Sequence, residues 1–211
     1  MPQVSLAELV TQVQNSQALA SFPTDTVPAL AAIPEAAEQI FMVKQRSLDK
    51  PLILMGASTA ELWDYITGSQ AEQQIWRQVA DRYWPGALTL VLPASDRVPP
   101  AMNPKDPTTI GLRVPNHPLA LAILRQTGPL ATTSANRSGQ PALQTMAEIE
   151  AQFPQVFTLS PAATVELTAS SHSEAILGGS GTPSTVLRWR KTGWQVLRQG
   201  AVQWDGIVNC D

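Results

Sequence analysis

Leu52-Ile53-Leu54-Met55 is an unbroken apolar run closed by Pro51 on one side and Gly56 on the other. A run of that kind reads as a strand buried in a sheet. The residues leading into it have the opposite character. Lys44, Arg46 and Lys50 place three cations within seven residues, with Asp49 as the one opposing charge. A cationic loop therefore feeds the core of a sheet, and loops pinned by rigid strands are where binding sites are commonly built. The stretch reads either as an anion site or as a solvated basic turn, and residues far along the chain have to decide.

Around this centre, helix and strand signals alternate. Ser5, with Glu8 three residues on, reads as a capping box for a helix with Leu6, Leu9, Val10 and Val13 on one face. Ala18–Phe22 is a strand that runs into the polar turn Pro23-Thr24-Asp25-Thr26-Val27. Pro34 allows a helix from about Glu35 to Lys44, which delivers the cationic loop. Thr59 is expected to cap a short helix through Tyr65. Gln70–Tyr83 is a longer helix, stopped by Trp84-Pro85-Gly86. Leu88–Leu92 and Thr109–Val114 read as strands, with the proline-rich loop Asp96–Pro107 between them. Pro118 begins a helix through Arg125. Leu130–Thr133 is a strand opening onto Ser134-Ala135-Asn136-Arg137-Ser138-Gly139. Thr145 and Glu148 form another capping box, for a helix to Gln152. Strands are then expected at Val156–Leu159, Thr164–Leu167, Ala175–Leu177, Ser184–Trp189 and Trp194–Leu197, the last two a hairpin turning at Gly193. This order predicts one α/β domain around a large, mixed sheet.

With 44% hydrophobic and 15% charged residues among 211, the chain can fill a core and carries little charge. A net charge of -3 gives no global attraction to nucleic acid, so any polyanion site has to be local. Cys210 is the single cysteine, which excludes an intrachain disulfide and a cysteine-rich metal site and fits a reducing compartment. His117 and His172 are too few for a multi-histidine metal site. Met1–Val10 has no basic stretch followed by an apolar core, and no run approaches the ~20 apolar residues of a membrane span. A soluble, cytoplasmic protein without membrane contact is the expectation.

Four polar loops leave strand ends: Thr24-Asp25-Thr26, Lys44 to Lys50, Thr132 to Gly139, and Ser184-Thr185. Arg113 and Arg198 lie within or at the end of apolar strands. An arginine so placed usually has an anionic partner, either a ligand or a structural Asp or Glu. Thr24 and Asp25 read equally as caps, Ser134 and Asn136 as turn formers, and His117, close to Pro115 and Pro118, as a loop residue. The chain contains no G-x-x-x-x-G-K-[ST], no G-x-G-x-x-G after a strand and no nucleophile elbow. Cations, hydroxyls and amides suit a reaction carried by positioning and charge neutralisation. Phosphoryl or nucleotidyl transfer fits, with Mg²⁺ held largely by nucleotide phosphates rather than by a protein cage.

Seven motifs in order then give a resemblance. They are F-P-T-D-T-V at Phe22–Val27, K-Q-R-S-L-D-K-P-L at Lys44–Leu52, W-P-G-A-L-T at Trp84–Thr89, G-L-R-V-P-N-H-P at Gly111–Pro118, T-S-A-N-R-S-G at Thr133–Gly139, P-S-T-V at Pro183–Val186 and L-R-Q-G at Leu197–Gly200. Together they resemble the YrdC family, threonylcarbamoyl-AMP synthases, in its short, single-domain bacterial form. The resemblance implies a twisted, mostly mixed β-sheet flanked by helices, with a positively charged concave face, over residues 1–200, and a short tail at 201–211. It implies a nucleotidyltransferase that converts L-threonine, bicarbonate and ATP to threonylcarbamoyl-adenylate and pyrophosphate. That adenylate serves N6-threonylcarbamoyladenosine formation at position 37 of tRNA, completed by a separate transferase complex.

Carried over motif by motif, Lys44, Arg46, Ser134 and Asn136 correspond to the family's catalytic K-x-R and S-x-N tetrad. Lys44, Arg46, Lys50, Thr109, Ser134 and Arg198 fall where the family contacts ATP, and Thr24, Arg113, Thr132 and Ser184 where it contacts threonine. The chain departs from the pattern at Pro28-Ala29, where Tyr-Gly is usual, at Ser47, where proline is usual, at Met55 and Ala142, and in a shortened Ala31–Pro34. Two other readings remain open at this level: a paralogue of the YciO type with weak or different ATP-dependent chemistry, and a module whose basic face holds double-stranded RNA or tRNA.

Overall fold

The computed structural model describes residues 2–169, 179–191 and 193–206. Strand β1 (Gln3–Val4) precedes helix α1 (Leu6–Asn15), and Ser5 caps the helix by accepting from the Glu8 amide, a single bond in place of the reciprocal box expected. Strands β2 (Ala20–Phe22) and β3 (Ala29–Ala32) follow, then a 3₁₀ turn (Pro34–Ala36) that runs into α2 (Ala37–Lys44). Next come β4 (Ile53–Met55), α3 (Thr59–Trp63) and α4 (Gln70–Tyr83). After β5 (Leu88–Pro93), β6 (Thr109–Arg113), α5 (Pro118–Thr127) and β7 (Leu130–Ser134), the chain forms α6 (Met146–Gln152), β8 (Thr158–Leu159) and α7 (Pro161–Ala169). The hairpin of β9 (Thr185–Arg190) and β10 (Gly193–Arg198) ends it.

Among the described residues, eight strands form one mixed sheet in the order β10-β9-β5-β6-β4-β7-β3-β2, and β1 pairs in parallel with β8 beside it. The pairs β4–β6 and β5–β9 are parallel and the rest antiparallel. The period-2 alternation of strands sorts the side chains onto two faces. On the back face Leu54, Leu88, Leu90, Leu92, Ile110, Leu112 and Leu187 join Ile40, Phe41, Trp76 and Val79 of α2 and α4 in the larger core. On the front face, α1 and α5 cover only part of the sheet, packing Leu9, Val13, Leu119 and Ile123 on Phe22, Ala31 and Leu130. Where that layer ends, the front face lies open, and the site occupies the opening.

Two expectations fail here, and one strand is unforeseen. Thr164–Leu167 is not a strand but the middle of α7, because Pro161 can start a helix, Ser160 accepts from the Ala163 amide, and α7 packs on α5. The cap of α3 is Ser58, accepting from Glu61, and not Thr59. β3 was not expected at all. Ala29-Leu30-Ala31-Ala32 has weak strand propensity, and the buried slot between β2 and β7 overrides it. Ala175–Leu177 and His172 lie outside the described residues, as does Cys210. No helix among the described residues is long and apolar enough to cross a membrane.

Candidate active site

The opening on the front face is a cavity of about 860 Å³. Strand register sets its layout. Ile53 pairs with both Gly111 and Thr132, so Pro51, Thr109 and Ser134, each two residues along, share one row at the upper end. At the other end Met55 pairs with Arg113, Thr89 lies alongside, and Val186 pairs with both Thr89 and Arg198. Thr109 and Arg113 cap the two ends of β6, about 13 Å apart at ~3.3 Å per residue. Gly111 stands between them, and the absence of a side chain there leaves the floor open.

At the upper end, Lys44 from the last turn of α2 is 1% exposed. Its ammonium donates to the Ser134 carbonyl, to the Asn136 carbonyl at 2.5 Å and to Asn136 Oδ1 at 3.2 Å. Ser134 Oγ donates to the same Oδ1 at 2.6 Å. Asn136 Nδ2 in turn ties the loop through the Arg137 and Gln140 carbonyls. Arg46 reaches back onto its own loop, donating to the Lys50 and Pro51 carbonyls at 2.8 and 3.0 Å. Burial first, then the charges of Arg46 and Lys50, pull the Lys44 ammonium from its ordinary 10.5 to about 7. Burial also lowers Arg46 to about 10. Lys44, Arg46, Lys50, Thr109, Ser134 and Asn136 all line this end.

At the lower end Arg113 is 4% exposed. It donates to Asp25 Oδ1 at 2.6 Å, Thr26 Oγ1 at 2.8 Å and the Gly86 carbonyl at 3.1 Å. Each terminal nitrogen keeps a second N–H. Burial lowers its pKa, Asp25 raises it, and Arg198 lowers it, so the two guanidinium groups lie close enough to repel. Thr24 donates to the Val27 carbonyl and Thr132 to that of Ile53. Ser184 Oγ lies 2.9 Å from Thr89 Oγ1, and Arg198 donates to the Ser184 carbonyl. Thr24, Arg113, Thr132, Ser184 and Arg198 thus line one cavity, but Arg198 stands in the row of Arg113, away from the Lys44 cluster. The turn holding Thr24 is clamped from outside. Ser180 and Gly181 amides donate to the Asp25 and Thr26 carbonyls, and a Cβ on Gly179 would lie 2.3 Å from the Thr26 carbonyl.

Several lining residues were not singled out from sequence. Thr26 sat in the turn Pro23–Val27 without a partner assigned, as did Asp25, which pairs with Arg113 without itself lining the cavity. Thr89 is the polar front-face position of an otherwise apolar strand, a break in alternation that could have marked it. Asn103, Asp106 and Arg188 carried no local signal. The departure at Pro28-Ala29 leaves the site continuous, since Ala135 donates to the Pro28 carbonyl at 2.9 Å and Ala29 lies opposite Ser134 in the cavity wall.

The Sua5/YciO/YrdC family model, described as "Telomere recombination", matches residues 12–200. The chain belongs to the Sua5/YciO/YrdC family. A Klebsiella pneumoniae relative named threonylcarbamoyl-AMP synthase is 33% identical over 204 residues, covering 95% of this chain and 98% of that one. A Bacillus subtilis relative of the same name is 38% identical over 143 residues, covering 64% of this chain and only 39% of the longer relative. Sua5 of P. abyssi, solved in complex with L-threonine, shares the fold at a TM-score of 0.75 and 27% identity, over 94% of this chain and 55% of that one. Within the Sua5/YciO/YrdC family, the motifs of this chain therefore occupy one cavity rather than separate surfaces.

Proposed function

We propose that this chain is a threonylcarbamoyl-AMP synthase, joining L-threonine, bicarbonate and ATP into threonylcarbamoyl-adenylate with release of pyrophosphate. The observation that carries the reading is the two-ended cavity, with phosphate-matching cations at one end and a fork of arginine donors at the other. The names of the relatives point the same way.

At the lower end the substrate carboxylate meets the remaining N–H groups of Arg113, with Arg198 adding charge because Asp25 already neutralises Arg113. Thr132 has given its proton to a backbone carbonyl, so towards a ligand it accepts, which suits the amine or hydroxyl of threonine. Thr24 is filled by the Val27 carbonyl and by the amide and hydroxyl of Thr26, so it shapes the wall of the pocket. At the upper end Arg46 and Lys50 face the triphosphate. Lys44 is fully engaged with protein oxygens, so it fixes Ser134 and Asn136 and supplies charge at short range without touching phosphate.

The threonine nitrogen adds to bicarbonate with loss of water. An oxygen of the resulting carbamate then attacks the α-phosphorus, the bond to the β-phosphate oxygen breaks, and pyrophosphate leaves. The chain holds the two reactants in line and neutralises the charge that develops. Asp49 and Asp106 are the carboxylates lining the cavity, and no group of three or more His, Cys, Asp or Glu among the described residues forms a metal cage. That donor set fits a Mg²⁺ carried by the nucleotide, which would screen its phosphates. The adenylate product is an activated carbamoyl donor for a tRNA-modifying transferase in the cytoplasm.

Pyrophosphate release from ATP tests the proposal. It is expected to require both threonine and bicarbonate, and release that ignores either one would overturn the assignment.

A further inference from the structure

Gly111 sits in the interior of β6, where a glycine weakens a strand and needs a reason. Three reasons can come from the fold: a bulge, a positive φ, or another part of the chain pressed against the residue. The register on both sides of Gly111 runs without a break, so there is no bulge. Its φ is not positive. A Cβ at Gly111 would lie 3.4 Å from Ile53 Cγ1, 3.5 Å from Thr89 Cγ2 and 3.9 Å from Val91 Cγ2, which are ordinary packing distances. Every other glycine among the described residues has either a positive φ or an atom within 2.8 Å of where its Cβ would stand. The fold has room for a methyl group at Gly111 and leaves it out.

Ile53, Thr89 and Val91 line the cavity, as Gly111 does, so that methyl group would project into it. Strand pairing places Arg188, Val91, Gly111, Ile53 and Thr132 in one row across the cavity floor. The row is midway between those of Thr109 and Arg113, about 7 Å from each at ~3.3 Å per residue. An amino acid whose carboxylate is held at Arg113 carries its nitrogen two bonds from the carboxyl carbon. A carbamoyl group on that nitrogen therefore points towards the middle row. Phosphates held by Arg46 and Lys50 reach the same row from the other side. Thr132, left as an acceptor by its bond to Ile53, stands in that row for the carbamate N–H.

We propose that the planar carbamoyl group lies against the Gly111 backbone as its oxygen bonds to the α-phosphorus and the bond to the β-phosphate oxygen breaks. The side chain missing at Gly111 then sets how closely the two reactants approach. This rests on the synthase reading above and adds where its two halves meet.

Gly111→Ala tests it, with each substrate bound alone read by calorimetry, turnover by pyrophosphate release and folding by thermal melting. The melting temperature should hold or rise, since alanine suits a strand better than glycine and its Cβ meets nothing closer than 3.4 Å. Threonine alone and ATP alone should bind as they do to the unsubstituted protein. With both present, kcat should fall about 100-fold, the cost of misplacing reacting atoms by about 1 Å, and the bicarbonate KM should rise. Thr89→Ser, which removes one packing neighbour of the new methyl group and keeps the hydroxyl, should not restore turnover to Gly111→Ala. Restoration would assign the loss to packing and overturn the proposal. So would normal turnover in Gly111→Ala, or a loss of affinity for ATP alone or threonine alone as large as the loss in kcat. Absence of threonine- and bicarbonate-dependent pyrophosphate release from the unsubstituted protein would instead remove the synthase reading, and this inference with it.

Discussion

Lys44 and Arg113 are buried almost equally, at opposite ends of one cavity, yet the fold accommodates them differently. Arg113 has a carboxylate, Asp25, at 2.6 Å. Lys44 has neutral oxygens and two other cations nearby, and burial together with those cations lowers its pKa to about 7. One charge is neutralised by the protein, and the other is left for something else to neutralise. An end built to hold its charge steady suits a small carboxylate, whereas an end left electropositive suits a polyanion, which brings the missing counter-charge with it.

The largest expected consequence concerns stability. Removing one partner of a buried ion pair leaves the other charge uncompensated and costs about 3–5 kcal/mol. Asp25→Ala should therefore lower the urea midpoint by that equivalent, and Arg113→Met made on top of it should recover part of the loss. A loss below about 1 kcal/mol would mean that Thr26 and Gly86 suffice for Arg113 and that the contrast with Lys44 is empty.

Lys44 should show the reverse balance. Lys44→Met removes a buried charge that has no carboxylate partner, so the fold should lose only the hydrogen bonds to Ser134 and Asn136, about 1–3 kcal/mol. Turnover should fall about 100-fold, equivalent to about 2.7 kcal/mol of transition-state stabilisation. If instead stability collapses and turnover per folded molecule is unchanged, Lys44 is a structural brace and the electropositive end has another source.

Much of this arrangement was legible in the chain. The spacing of Lys44, Arg46 and Lys50 before Leu52–Met55 and the helix signals at Gln70–Tyr83 and Thr145–Gln152 follow from local rules, and the structure reproduces both helices at the residues expected. What local rules could not give is pairing across the sheet. Asp25 and Arg113 are 88 residues apart, Lys44 and Ser134 90, Asp106 and Arg188 82, and nothing in the neighbourhood of either member announces the other. For the same reason the chain does not announce that Arg198 stands in the row of Arg113: a strand's level in the sheet depends on register, which its own residues do not state. Thr164–Leu167 failed as a strand because an apolar run of four has no period of its own, and its helix is decided by Pro161 and by packing on α5.

The smallest expected effect is the most direct reading of the difference between the two cations. In the unfolded chain Lys44 titrates near 10.5 and in the folded, empty cavity near 7. Between those values the unfolded state binds the extra proton, so this residue makes stability rise with pH across that window, and Lys44→Met should flatten the rise. A bound triphosphate supplies the counter-charge and moves the pKa back up. Above pH 7 nucleotide binding then takes up a proton, and ATP affinity should weaken roughly fivefold between pH 7 and 8. Titration calorimetry with ATP at pH 8, in two buffers of different ionisation enthalpy, reads the uptake as a difference in heat that Lys44→Met abolishes. Equal heats in the two buffers for the unsubstituted protein would show that Lys44 keeps its proton in the empty cavity, and the asymmetry with Arg113 would then lie in hydrogen bonding and not in charge.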